Sequence, residues 1–173
     1  DSYENIVTSI FKEYDIPVFL DKKRDMDGNP LAQYILSLLE IVSNGFTYET
    51  LFKMLKTGLS TVTEEETDIL ENYILANGIK GKSFGKEWKY PFPNMNDEVL
   101  KKAYLVKANE IREKIESNYS ALRESILNAE NVLELTKILY LHLEESGVFI
   151  RSLEMVNKTG SIEIKKEHEE VIK

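Results

Sequence analysis

One apolar seam constrains this chain more than any other feature. Leu100, Tyr104, Ala108, Ile111, Ile115, Tyr119, Leu122 and Ile126 recur at intervals of four and three, the spacing that lines up side chains on one face of an α-helix. The pattern begins after Asp97 and predicts one helix of roughly 28 residues, about 40 Å long at 1.5 Å per residue. Such a rod gains most of its stability from packing its apolar stripe against other elements. The rest of the chain therefore has to supply covering surfaces with their own apolar faces.

The remaining sequence reads as a set of shorter helices with explicit starts and stops. Ile6, Val7, Ile10, Phe11 and Tyr14 give a first helix over Asp1 to Tyr14, which stops before Pro17 because the residue preceding a proline is pushed out of the α region. Pro17-Val18-Phe19-Leu20 reads as a short extended segment. Asn29 is placed to cap a second helix with Pro30 in its first position, where the missing N–H costs nothing. That helix carries Leu31, Tyr34, Ile35, Leu38, Leu39 and Val42 and closes at Asn44-Gly45. Thr47 opens a third helix that ends at Gly58, and Thr63 with Glu66 forms a capping box for a fourth that ends at Asn77-Gly78. Asn131 caps another helix that Gly147 closes, and Val148 to Val156 reads as a short helix or a connector. The fold class is all-α: a multi-helix domain with at most one short strand, near residues 17–20.

Composition narrows the chemistry. With 173 residues, 42% apolar and 30% charged, the chain belongs with globular proteins and is long enough for one buried core. It has no cysteine, which excludes disulfides, thiolate zinc sites and iron–sulfur clusters within it. His142 and His168 are too far apart for a histidine metal cluster, and His142, one step from its helix's apolar stripe, reads as a structural residue. No apolar run approaches the 18 or so residues needed to span a membrane, and no signal peptide is visible, so the expected location is cytoplasmic. The chain starts without Met, opens directly into helix, and ends in a charged stretch, Ser161 to Lys173, with no capping stop. The expectation is a segment of a longer polypeptide.

The candidate chemistry is thin. Lys56-Thr57-Gly58 lacks the upstream glycines of a phosphate-binding loop and reads as a helix C-terminus with Gly58 supplying a left-handed turn. Asp21, Asp25 and Asp27 lack the glutamate that a calcium loop needs, since Ala32 stands there. Lys23 and Arg24 read as a solvated turn, with a phosphate contact as the sharper alternative. Glu110, Glu113, Glu116 and Glu124 alternate with Lys107, Arg112, Lys114 and Arg123, as on a solvent-facing helix with i,i+4 pairs. No catalytic constellation and no metal site can be assembled from spacing.

The stretch Gly78–Phe92 stands apart. Net charge over the chain is −8, so any nucleic-acid contact has to be local. Here Lys80, Lys82, Lys86 and Lys89 interleave with Phe84, Trp88, Tyr90 and Phe92 against a single acid, Glu87, for a local charge of +3. Cations alternating with stackable rings suit single-stranded nucleic acid. The candidate nucleic-acid-binding set is Lys80, Lys82, Phe84, Lys86, Trp88 and Lys89. The competing reading, which the residues favour, has Phe84 and Trp88 pinning a long loop onto the helices while the lysines face water.

The phrases Tyr14-Asp15-Ile16-Pro17-Val18-Phe19-Leu20-Asp21-Lys22-Lys23-Arg24, Asn29-Pro30-Leu31, Asn44-Gly45, Lys56-Thr57-Gly58-Leu59, Leu70 to Gly81 and Trp88, in that order, resemble the middle of the AddB family of bacterial ATP-dependent helicase–exonucleases. The likeness is strongest from Tyr14 to Trp88. It implies a parent protein that acts with an AddA-type helicase–nuclease subunit in double-strand break resection and recombinational repair. It also implies that residues 1–29 end a RecA-like domain, that 30–157 form a helical accessory domain like the insertions of UvrD-type helicases, and that 158–173 begin a connecting helix. The family's ATP-binding lysine, nuclease carboxylates and cluster cysteines have no matching positions here. ATP, magnesium and the iron–sulfur cluster are thus expected outside this segment, which is expected to be non-catalytic and without a cofactor. The rival expectation is a free-standing helical adaptor that binds a partner protein.

Overall fold

The computed structural model describes residues 3–17, 28–93 and 95–159. Seven α-helices run through them: α1 (Glu4–Glu13), α2 (Pro30–Asn44), α3 (Tyr48–Leu55), α4 (Glu64–Asn77), α5 (Glu98–Leu127), α6 (Val132–Glu145) and α7 (Val148–Thr159), with a 3₁₀ turn at Gly81–Ser83. The fold is all-α, and no strand occurs among the described residues. The short strand expected near residues 17–20 falls, beyond Pro17, outside them, as do Lys23, Arg24, the Asp21–Asp27 turn and the stretch from Ser161.

The helix boundaries follow from local chemistry. The Asn29 Oδ1 accepts from the N–H groups of Leu31 and Ala32, with Pro30 in the first helical position. The Thr47 hydroxyl takes the Thr50 N–H at the start of α3. Thr63 and Glu66 form a complete capping box on α4, each side chain bonded to the other's backbone N–H. Gly78 ends α4 in the left-handed region at φ 61°, where a side chain would be strained. Asp97 caps α5 as Asn29 caps α2, accepting from two N–H groups, and Asn131 caps α6 by accepting from the Glu134 N–H. Val148–Val156, open between helix and connector in the sequence, is helical.

α2 and α3 form the most intimate pair, α5 runs across α2 and α4 before meeting α6, and α7 packs on α6 and α2. The core lies between them and is built on Leu31, Ile41, Leu51, Leu59, Leu70, Tyr73, Ile111 and Val148, all essentially inaccessible to solvent. Tyr119 of α5 is sunk in the same core and donates its hydroxyl to the Ile41 carbonyl near the end of α2. Arg151 of α7 reaches back to the Leu59 carbonyl at 2.8 Å and the Ser146 carbonyl at 2.6 Å, tying the last helix to the turn after α3. By contrast, α1 packs against no other helix among the described residues, and its Ile6 and Ile10 are exposed.

Two expectations about α5 need correcting. Its apolar seam is buried only from Ala108 onward, and Leu100 is 50% exposed. A 30-residue helix measures about 45 Å, whereas α2 and α4, at 15 and 14 residues, measure about half that, so they cannot cover its first turns. The charged face of α5 also differs from a row of i,i+4 pairs. Its internal pairs are i,i+3, Lys101 with Glu98 and Lys107 with Glu110, and Arg112 is buried. Lys107 and Lys114 both reach across to Glu66 of α4, at 3.2 and 3.1 Å.

Candidate nucleic-acid interface

The Gly78–Phe92 loop is held from below by rings. Phe84 is 2% and Trp88 5% exposed. Phe84 stacks on Phe46 at 4.2 Å between centroids, and Phe46 in turn meets Tyr119 at 4.4 Å. Trp88 stacks on Tyr73 of α4 at 5.0 Å and meets Phe84 edge-on at 5.7 Å. Five rings thus form one continuous file from α5 to α4, with the loop supplying two of them. Burying the phenylalanine ring alone contributes about 3 kcal/mol.

Hydrogen bonds fix the loop backbone over those rings. Asn109 of α5 acts as a two-point clamp on Trp88: its Oδ1 accepts from the Trp88 N–H and its Nδ2 donates to the Trp88 carbonyl, both at 2.9 Å. The indole N–H donates to the Ser83 carbonyl at 2.9 Å, so the polar edge of the ring is satisfied as well. The Tyr73 hydroxyl donates to the Tyr90 carbonyl. At the far end Phe92 is half-buried and meets Tyr104 of α5 at 5.8 Å.

The structure divides the six candidate residues into two sets. Phe84 and Trp88 have no free face and serve as anchors. Lys80, Lys82, Lys86 and Lys89 are all exposed, and none of their ammonium groups has a hydrogen-bond or ion-pair partner among the described residues. Some cations elsewhere are tied down, Lys56 by Glu71 at 2.8 Å, Lys101 by Glu98 at 2.6 Å, and Lys107 and Lys114 by Glu66, while Lys53, Lys102 and Lys137 are exposed and, like the four of the loop, have no partner among the described residues. Lys82 opens onto a shallow groove shared with the Asn44-Gly45 turn and Arg123, whose wall also carries Glu116 and Glu124. The six-residue set leaves out two residues that matter here, although Tyr90 is among the rings the sequence interleaves with the lysines. Asn109 sits on a helix whose composition says nothing of a loop 21 residues upstream. Tyr90, 74% exposed, is the loop's outward ring.

The titrating groups of the helices are structural. Burial pushes the Glu66 carboxyl up, but bonds from the Thr63 N–H and from Lys114 and Lys107 outweigh it and hold Glu66 below its usual value of 4.5. Glu71 is lowered by its bonds from Lys56 and the Tyr48 hydroxyl. Burial lowers His142 despite the opposing charge of Glu145. Among the described residues no group of three or more His, Asp or Glu side chains is arranged to hold a metal ion. Nor is any described helix long and apolar enough to cross a membrane.

No protein-family model matches the chain. Curated relatives do. The B subunit of an ATP-dependent helicase/deoxyribonuclease from Clostridium botulinum (strain Loch Maree / Type A3) is 44% identical over 144 residues, which is 81% of this chain and 13% of that protein. The protein of the same name from Clostridium novyi (strain NT) is 41% identical over 148 residues, 86% of this chain and 12% of that protein. Its namesake from Thermoanaerobacter sp. (strain X514) is 39% identical over 150 residues, 84% of this chain and 13% of that protein. The chain is similar to one segment of these helicase/deoxyribonuclease B subunits. It spans only about one eighth of the length of those relatives, 12–13% in each case. The resemblance to AddB read from Tyr14-to-Trp88 phrases is thus reproduced by residue identity across more than four-fifths of the chain.

Proposed function

We propose that this chain is a non-catalytic helical segment of an AddB-like helicase–nuclease subunit, working in DNA double-strand break resection and recombinational repair. One observation carries the reading: identity of 39–44% to proteins named as B subunits of an ATP-dependent helicase/deoxyribonuclease. In this reading the parent works with an AddA-type subunit, and ATP, magnesium and the iron–sulfur cluster bind outside the segment. Residues 30–157 are its helical accessory unit, and residues 1–29 and 158–173 lead into neighbouring parts. The isolation of α1 from the other described helices supports a boundary after it. The segment's contribution to DNA handling is the Gly78–Phe92 loop, whose unpaired lysines meet phosphates while the helices hold the loop in place.

The test has two arms. The 173-residue chain on its own is expected to show neither ATP hydrolysis nor DNA cleavage; turnover in a preparation free of contaminants overturns the non-catalytic assignment. In the full-length polypeptide, replacing Lys82, Lys86 and Lys89 by glutamate is expected to weaken DNA binding, with a shallower dependence on salt. Unchanged affinity removes the loop from the DNA path.

A second reading, a free-standing helical adaptor, is favoured by the apolar residues left uncovered on α6, among them Leu133, Tyr140 and Leu141. Sequencing the reading frame on both sides separates the two. A nucleotide-binding loop upstream and a cysteine-containing nuclease downstream support the helicase–nuclease reading; nearby start and stop codons support the adaptor.

A further inference from the structure

We infer that the Gly78–Phe92 loop takes a single strand rather than a duplex, with Tyr90 stacking on an unpaired base while Lys80, Lys82, Lys86 and Lys89 meet the flanking phosphates. This rests on the DNA contact proposed above and adds the substrate class to it. Lysines alone cannot supply that class, because both duplex and single strand present phosphates. A ring that stacks on bases can, because the π-faces of a duplex are already covered by neighbouring base pairs, whereas an unpaired strand exposes them.

Tyr90 is the ring placed for it. Of the four aromatic residues in the loop, Phe84 and Trp88 are buried and Phe92 is half-buried, while Tyr90 is 74% exposed. Its backbone is not free to swing: the carbonyl accepts from Tyr73, itself fully buried, and Pro91 restricts Tyr90 to extended conformations. Two residues before it the Asn109 amide holds both backbone groups of Trp88. The ring therefore stands on a fixed support, which lowers the ordering cost of stacking on it. Lys89 precedes it in sequence with its ammonium unpaired. An outward ring beside unpartnered cations, in a chain of net charge −8, matches an acidic polymer with exposed planar groups.

The experiment compares Tyr90→Ala, Tyr90→Trp and the Lys82→Glu/Lys86→Glu/Lys89→Glu variant in the full-length polypeptide. The probes are a fluorescent oligothymidine and a blunt duplex of equal length, titrated at several salt concentrations. Because the Tyr90 ring and the three lysines are exposed, all three variants should melt with the parent protein. Tyr90→Ala is expected to weaken oligothymidine binding about fivefold or more and leave duplex binding within about twofold, while Tyr90→Trp retains both. The triple lysine variant should weaken both probes and flatten the single-strand salt slope by about 2. A 5-iodouracil strand, irradiated on the complex, should crosslink at Tyr90. If Tyr90→Ala leaves oligothymidine affinity unchanged while the lysine variant weakens it, stacking is overturned and the phosphate contact stands. Equal loss on both probes from Tyr90→Ala also overturns stacking on an unpaired base. If the lysine variant changes neither probe, the DNA contact and the single-strand inference fall together.

Discussion

The Gly78–Phe92 loop and the first three turns of α5 meet at Phe92 and Tyr104, yet their order has opposite origins. The loop has no regular structure beyond one 3₁₀ turn, but it sends two rings into the core and has its backbone bonded by Asn109 and Tyr73. The start of α5 is unbroken helix capped by Asp97, but Val99, Leu100 and Val106 face water. Backbone hydrogen bonds organise the second region, and side chains organise the first. Secondary structure therefore says little about which part of this molecule is hard to displace. Rigidity follows the buried rings and the long-range bonds.

Substitutions can break this contrast. The largest effect is expected at Trp88: Trp88→Ala removes a ring stacked on Tyr73 and should cost about 3–5 kcal/mol, read as a shift in the denaturant midpoint. Next is Asn109→Leu, which keeps the branched shape but strips the partners from both backbone groups of Trp88. A loss of about 2–3 kcal/mol is expected, with faster amide exchange across the loop; a loss under about 0.5 kcal/mol would show that the clamp is incidental. Smallest is Leu100→Ala on the exposed start of α5, expected within about 0.5 kcal/mol. If Leu100→Ala costs as much as Asn109→Leu, the contrast between the two regions fails.

Acid offers an independent handle on the helices that flank the loop. Glu66 and Glu71 ionise more readily in the folded chain than at their usual 4.5. The unfolded chain then binds more protons in that range, so their contribution is complete above about pH 4.5 and is lost as pH falls through the lowered values. The midpoint of denaturation should drop as pH is lowered below 4.5, and Glu66→Gln with Glu71→Gln should flatten that drop. His142 adds a smaller loss in the same direction, because burial lowers it from 6.5 and its charging opposes folding as pH falls below that value.

Much of the architecture was legible in the sequence because the signals are local. Asn29-Pro30, Thr47, Thr63 with Glu66, Asn77-Gly78 and Asn131 each fix a helix end through partners no more than a few residues away, and each appears where the pattern places it. What was not legible depends on distance. Periodicity finds the α5 seam but cannot say how far the covering helices extend, so Leu100 and Tyr104 look like core residues until the shorter α2 and α4 are in place. Charge alternation on α5 suggests pairs along the helix, whereas Lys107 and Lys114 are drawn to Glu66 some 41 and 48 residues away. In the loop, Phe84, Trp88 and Tyr90 are equivalent as composition. Only tertiary packing sorts two of them inward and one outward.

Glu66 has a further consequence. One carboxylate closes the first turn of α4 on itself and simultaneously receives two ammonium groups from α5. Fraying of that turn and separation of the two rods are therefore one event rather than two. The amides at the start of α4 should open to solvent with the same protection as the α4–α5 seam, instead of showing the rapid exchange usual at a helix tip.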